Sequence, residues 1–169
     1  MNTRWLESGE LAAWIPLAAA LEALPGLLDT QLRRDSGLTH FDYRVISLLS
    51  ETEGHALRLS ALAGLTNSSL PRLSHVIDRL EARGYLERSA CLSDKRATMA
   101  QLTDTGMAKV EEAAPGHVEA VREYVFDALR PEQVQQMREI FEPMAQRLHP
   151  GGEMSRVTGR RGKGPAERR

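Results

Sequence analysis

The sequence is poor in the residues that build catalytic, metal and disulfide sites. It has one cysteine among 169 residues, Cys91, which excludes an internal disulfide and a multi-cysteine metal site. Its five histidines show no i, i+4 pairing and no neighbouring cysteine, so we expect neither a metal nor another cofactor. The chain has no Gly-rich phosphate loop and no nucleophile elbow. The absence of these residues and motifs argues against an enzymatic function.

Long apolar runs and aromatic residues are also scarce. The longest run, residues 11–21, is too short for a bilayer, which needs about 20 apolar residues. Glu7 and Glu10 do not fit the basic leader of a signal peptide. We therefore predict that this run is the buried part of a helix, in a cytoplasmic protein with no membrane partner. Aromatic residues make up 5% of the chain, which favours helices over a β-sandwich.

The net charge of −1 hides an uneven distribution along the chain. Residues 58–101 carry seven Lys and Arg against four Asp and Glu, and residues 151–169 carry six against two. Residues 1–57 and 102–150 are acidic. Local positive charge on an otherwise acidic protein suits a polyanion such as nucleic acid. A chance variation of a few charges is the alternative explanation.

Apolar residues recur at helical spacing along most of the chain. They predict a long first helix over residues 7–35, with a bend or a break at Pro16 and at Pro25. Thr39 and Asp42 have the spacing of a capping box, so a second helix is expected to begin there.

Shorter elements are predicted in the middle of the chain. They are a strand at 57–59, a helix at 61–65 capped by Ser60, a helix from about Asn67 to Arg83, strands at 85–89 and 98–102 joined by a loop at 90–97, and two helices that begin at Thr103 and Pro131. This order matches a winged helix-turn-helix, in which a short helix braces a recognition helix and a hairpin forms the wing. The predicted fold class is mainly α, a winged helix-turn-helix with long N- and C-terminal dimerisation helices.

Three regions follow from this reading. Residues 37–102 are predicted to form the winged helix-turn-helix DNA-binding domain. Residues 1–36 and 103–149 carry apolar stripes that one such unit cannot fully bury, so they are predicted to form a helical dimerisation region. Residues 150–169 hold no periodic apolar residues and are predicted to be a disordered basic tail.

Two motifs carry a resemblance to a known family. Residues 94–103 read D-x-R, then five residues, then L-T, with Gly106 following, and residues 73–88 place Asp78, Arg79, Gly84 and Arg88 in a matching helix–Gly–strand pattern. The sequence resembles the MarR family of winged helix-turn-helix transcriptional regulators over roughly residues 7–148.

The resemblance implies a homodimer that binds double-stranded DNA at a pseudo-palindromic operator. It further implies a repressor that a small aromatic or phenolic ligand releases from DNA. The alternative is a winged-helix module that acts through protein partners or through non-specific DNA binding.

The predicted DNA contacts lie in the helix-turn-helix and the wing. They are Asn67, Ser68, Ser69, Arg72, Ser74, His75, Asp94, Lys95 and Arg96. The resemblance places Arg96 in the minor groove, oriented by Asp94, and a guanidinium is a good probe of a narrow minor groove. Arg72 is the best candidate to read a base, because Arg can bond bidentately to guanine. A solvated face is the alternative for all of them.

Other residues keep two interpretations. Arg79 and Arg88 either contact DNA or form internal ion pairs. The resemblance suggests an effector pocket between the dimerisation helices and the winged unit, and the candidates to line it are Trp14, His40, Tyr43, Arg44 and His117, for which simple packing is the alternative. Cys91 is expected to be an inert thiol. The basic tail either adds salt-dependent DNA affinity or is inert.

Overall fold

The computed structural model describes residues 3–91 and 94–148, apart from the side chains of residues 91 and 94–96. The elements in this part of the chain are α1 (Ser8–Ser36), α2 (His40–Ser50), β1 (Ala56–Arg58), α3 (Leu59–Thr66), α4 (Leu70–Ala82), β2 (Leu86–Cys91), β3 (Asp94–Leu102), α5 (Asp104–Val121) and α6 (Pro131–Leu148). A 3-10 turn lies at Glu53–His55, and a π-helical segment at Arg122–Phe126 continues α5. The predicted mainly α winged helix-turn-helix is confirmed.

Helix α1 is a single helix of 29 residues. The predicted break at Pro16 or Pro25 is wrong, because each proline removes one backbone hydrogen bond while the other bonds of the turn persist. The helix ends at Gly37, whose φ of 66° is left-handed and whose N–H donates to the carbonyl of Arg33 at 3.2 Å.

The apolar run in α1 is not buried within one chain, so that part of the prediction is wrong. Leu11 and Trp14 are about half exposed, whereas Leu28 and Leu32 near the other end of the helix are buried. The first half of α1 has no buried residue because no other part of the described chain covers it. By length and composition alone α1 is also long and apolar enough to cross a membrane, a test that core helices of soluble proteins pass as well.

The capping signals before α2 and α5 are confirmed. The Thr39 hydroxyl accepts from the Asp42 N–H at 2.9 Å, and the Asp42 carboxylate accepts from the Thr39 N–H at 3.0 Å. The Thr103 hydroxyl accepts from the Gly106 N–H at 3.0 Å. Ser60 does not cap α3 as predicted, because the chain leaves β1 directly into the helix and Arg58 takes the cap position.

The sheet has three antiparallel strands, with β3 between β1 and β2. Strands β2 and β3 are longer than predicted and take up most of the expected loop at 90–97. The polar composition of that segment does not oppose pairing, because ladder hydrogen bonds join backbone groups and a hairpin can expose both faces.

One core joins helices α1 to α5 to the sheet. Its fully buried side chains include Leu32, Leu38, Val45, Ile46, Leu49, Leu62, Leu73, Ile77 and Leu80, and Ala100 of β3 lies in the same cluster. The core thus fixes α3 and α4 against α2 and the hairpin.

Gly106 marks the closest approach between α5 and the start of the hairpin. A Cβ at this position would lie 2.1 Å from the backbone oxygen of Tyr85 and 2.7 Å from a methyl carbon of Leu102. The Tyr85 oxygen also accepts from the Thr103 N–H at 3.1 Å, so this backbone is not free to retreat.

We expect Gly106→Ala to lower the free energy of unfolding by about 1–3 kcal/mol or more, since this range is the usual cost of overpacking a core. Thermal and urea denaturation measure the loss. Gly9→Ala is the matched control, since nothing lies within 4 Å of its added methyl group and a compatible Gly→Ala change in a helix stabilises by about 0.4–1 kcal/mol. Equal stability of the two variants would contradict the close approach.

Candidate nucleic-acid interface

The turn between α3 and α4 is fixed by its own hydrogen bonds. Asn67 is exposed and left-handed, with φ of 50°, and its N–H donates to the carbonyl of Gly64 at 3.1 Å. The Ser68 N–H donates to the carbonyl of Ala63 at 3.0 Å, and its half-buried hydroxyl lies 3.0 Å from that of Thr66. The turn therefore sets the angle between the two helices.

The first turns of α4 face solvent. Ser69 caps the helix, since its hydroxyl accepts from the Arg72 N–H at 3.4 Å, and Pro71 stands where no helical N–H is needed. Leu70, Pro71 and His75 are exposed. The predicted contacts Ser69, Arg72 and His75 therefore share an open surface at the start of this helix.

One flank of α4 is held against α2 and the α1–α2 junction. The Arg79 guanidinium pairs with the carboxylate of Asp42, which is 1% exposed. Arg83 donates to the carbonyl of Gly37 at 3.0 Å, and its guanidinium lies 4.8 Å from the ring centroid of Tyr85. The Arg72 guanidinium lies 4.8 Å from the ring centroid of Phe41.

The other flank is held by Arg88 of β2. Its guanidinium contacts the carboxylates of Asp78 and Glu81 at 2.5 Å each and donates to the carbonyl of Ser74 at 3.2 Å. Burial alone would lower the pKa of Arg88, but the Asp78 and Glu81 carboxylates raise it above the ordinary value. Of the two roles left open for Arg79 and Arg88, the structure shows the internal ion pair. Ser74 is half-buried beside Arg88.

The hairpin that would form the wing consists of β2 and β3. Its backbone is paired from Leu86↔Leu102 to Cys91↔Asp94, with an irregularity between Ala90 and Cys91. The side chains of Cys91, Asp94, Lys95 and Arg96 lie outside the described residues, and so does the basic tail. The roles predicted for them remain predictions.

A second cluster joins α1, α2 and α5 and contains four of the five predicted effector-pocket residues. The ring of His117 lies with its centroid 4.6 Å from that of Tyr43 and 6.0 Å from that of His40. The backbone N–H of His40 donates to the Asp29 carboxylate at 2.8 Å. Arg44, also half-buried, donates to the carbonyl of Leu65 at 3.0 Å.

Trp14 is not brought to this cluster within one chain. It lies fifteen residues before Asp29 on α1, which corresponds to about 22 Å along the helix axis. Half of its surface is exposed.

Gln31 is a candidate that the sequence reasoning missed. It is 6% exposed, its Nε2 donates to the Asp35 carboxylate at 2.9 Å, and its buried Oε1 has no hydrogen-bond partner among the described residues. A Cβ on Gly116 would lie 3.1 Å from Nε2, so the glycine lets α5 approach the amide. The sequence did carry a signal for Gln31, because this polar residue lies on the apolar face of the first helix, between Leu28 and Leu32.

Charged groups in the cluster are partly desolvated. Burial lowers the pKa of His40, and the Arg44 charge lowers it further, against a smaller opposing effect of Asp29. Burial also lowers the pKa of Arg44. Among residues 3–91 and 94–148 the structure shows no group of three or more His, Cys, Asp and Glu side chains that could hold a metal ion.

Comparisons with known proteins agree on the family. Residues 38–98 match the model of the MarR family. The chain is 41% identical to Sco3205, a MarR family transcriptional regulator from Streptomyces coelicolor solved in complex with DNA, with a TM-score of 0.83 over 88% of this chain and 93% of that one.

Two further relatives are more distant. BpsR of Bordetella bronchiseptica, whose DNA binding is regulated by 6-hydroxynicotinic acid, is 25% identical, with a TM-score of 0.69 over 79% of this chain and 98% of that one. The HTH-type transcriptional repressor YetL of Bacillus subtilis is 28% identical over 64% of this chain and 67% of its own length.

The lowered pKa of His40 predicts a pH-dependent stability. The unfolded chain takes up this proton near pH 6.5, before the folded protein does, so the free energy of unfolding should fall as the pH drops below about 6.5 and level off below the folded pKa. Urea denaturation between pH 5 and 8 measures this fall, and His40→Gln should reduce it. His75→Gln, at an exposed position on α4, should leave it in place; an equal effect of both variants would refute the assignment.

Proposed function

The chain belongs to the MarR family of transcriptional regulators, and we propose that it is a homodimeric repressor that binds a pseudo-palindromic operator through α4 and the β2–β3 wing. Members of this family are regulators and not enzymes, so the expectation of a non-enzyme is confirmed. The observation that carries the proposal is the open first turn of α4, on a helix tied to its neighbours along both flanks.

The first turn of α4 suits the major groove in shape and chemistry. The Ser69 hydroxyl offers a hydrogen-bond donor to a phosphate, and the positive end of the helix dipole favours that contact. Arg72 offers the bidentate donor pair that guanine accepts. Asn67, Ser68, Ser74 and His75 belong to the same proposed contact surface, and the known DNA complex of Sco3205 supports it.

The wing completes the proposed interface. Asp94, Lys95 and Arg96 belong to β3, beside the hairpin end, where a winged helix meets the flanking minor groove. We propose that Arg96 enters that groove with Asp94 orienting it. The basic tail at 150–169 adds sequence-blind affinity in this proposal.

The dimer is proposed from apolar surface that one chain leaves open. In α1 the side chains of Leu21 and Leu27 are exposed, and in α6 those of Ile140 and Phe141 are exposed, with no buried residue anywhere in α6. Surfaces of this kind mark protein–protein contacts in soluble proteins. Residues 1–36 and 103–149 then form the dimerisation region and residues 37–102 the DNA-binding domain.

A partner chain also accounts for the apolar surface of α1 without a membrane. The same helix has its C-terminal third packed in the core of the winged unit, with Leu28 and Leu32 buried. Because the proposed partner is DNA, we place the protein in the cytoplasm.

We place the effector pocket at the α1–α2–α5 cluster. An unpaired buried acceptor costs free energy, so the Gln31 amide oxygen favours a ligand that donates a hydrogen bond there, such as a phenolic hydroxyl. His40, Tyr43, Arg44 and His117 supply rings and charge for an aromatic anion. Trp14 joins only if the partner chain brings it close. The regulation of BpsR by 6-hydroxynicotinic acid supports a ligand of this class. The similarity to YetL, a transcriptional repressor, supports the proposal that this protein represses transcription.

Binding to the DNA upstream of its own gene, compared with random DNA of equal length, tests the proposed function. We expect specific binding at one dimer per site. Arg96→Ala should weaken binding and flatten the log–log salt dependence, because a cation in the minor groove displaces counterions and each lost charge removes up to about 0.9 from the slope. Fluorescence anisotropy at several salt concentrations gives both quantities. Arg122→Ala removes the same charge from the segment after α5 and should change neither.

The other outcomes separate the alternatives. Equal affinity for both DNAs would indicate non-specific binding. No binding to either DNA would favour a module that acts through protein partners. An unchanged salt slope in Arg96→Ala would remove the wing contact.

Phe141→Glu should convert the dimer to a monomer at micromolar concentration, because it buries an unpaired charge in the proposed contact. Light scattering coupled to size exclusion measures the mass. Gln146→Glu adds the same charge on the same helix about 140° away, at 100° per residue, and should remain a dimer. A wild-type monomer, or a dimer in both variants, would contradict this interface.

A further inference from the structure

Three arginines line the α2-facing flank of α4, and they are not equivalent. Arg79 is paired with a buried carboxylate, and Arg83 donates to a backbone carbonyl. The Arg72 guanidinium makes no hydrogen bond and no ion pair with any residue that the structure describes. Its contact is the ring of Phe41, 4.8 Å from the centroid.

This contact leaves the chemistry of Arg72 available. Stacking uses the face of the guanidinium, whereas its five N–H donors point outward in the plane of the group. An aromatic ring can orient a cation without using any of its N–H hydrogen-bond donors. Arg72 is thus oriented by the ring, while its guanidinium makes no hydrogen bond to any residue that the structure describes.

The ring beneath Arg72 is itself fixed. Phe41 is half-buried, packs against the hydrophobic core and is the second residue of α2. Its neighbour Asp42 closes the capping box with Thr39 and pairs with Arg79. The ion pair between Asp42 and Arg79 therefore joins α2, which carries Phe41, to α4, which carries Arg72, close to the contact between the ring and the guanidinium.

We propose that Phe41 is a positioning residue for DNA recognition: its ring holds the Arg72 guanidinium so that the open N–H edge meets the O6 and N7 acceptors of a guanine in the major groove. The proposal rests on the proposed function. A pre-oriented side chain loses less conformational freedom on binding, so removal of the ring weakens binding although Phe41 itself touches no base.

The test is a double-mutant cycle of DNA affinity. The four proteins are wild type, Phe41→Leu, Arg72→Ala and the double variant, each checked for its dimer mass and melting temperature. Arg72→Ala should lower affinity for the specific DNA about 5- to 150-fold, the range for one bidentate base contact. Phe41→Leu keeps an apolar side chain in the core and should lower affinity about 3- to 10-fold when Arg72 is present and not in the Arg72→Ala background.

Two controls test whether the effect depends on the aromatic ring and on the guanine N7 atom. Phe41→Tyr keeps the ring and should bind within about twofold of wild type. DNA in which guanine is replaced by 7-deazaguanine lacks the N7 acceptor, so it should bind wild type more weakly and leave the affinity of Arg72→Ala unchanged.

The possible failures are distinguishable. If Phe41→Leu lowers affinity equally in both backgrounds, the ring has only a structural role and the proposal is overturned. If wild type ignores the 7-deazaguanine substitution, Arg72 contacts phosphate and the guanine assignment is overturned. If wild type prefers its upstream DNA no more than random DNA, the proposed function fails and this role fails with it.

Discussion

The buried carboxylate of Asp42 is the interaction on which the recognition surface depends. It caps α2 through the Thr39 N–H and accepts the Arg79 guanidinium of α4, while only 1% of the residue is exposed. A buried charge without a partner is costly, so the capping bond and the ion pair stabilise each other's geometry. Through this single group the start of α2 and the middle of α4 are fixed relative to each other.

Features set by local backbone chemistry could be predicted from the sequence. The Thr39 and Thr103 caps, the left-handed stop at Gly84 and the start of α6 at Pro131 follow from neighbours a few residues apart. The hairpin length could not be predicted, because the polar side chains of residues 90–97 do not show whether their backbone pairs.

The candidate site was predictable only in part, because its contacts join residues that are distant in sequence. The residue types and their face of α4 follow from helical period, but the partner of each arginine depends on residues far away in the chain. Asp42 lies 37 positions from Arg79, and Phe41 lies 31 positions from Arg72. The unpaired oxygen of Gln31 is likewise visible only once α1 and α5 are packed together at Gly116.

The arginine contacts on both flanks of α4 have a mechanical consequence. Arg79 and Arg83 bind the helix to the α2 side, and Arg88 binds it to the hairpin, so α4 cannot slide or rotate alone without breaking charged contacts on both sides. The helix is therefore expected to move together with α2 and the hairpin as one body, so that a displacement of any one of them would carry the recognition surface with it.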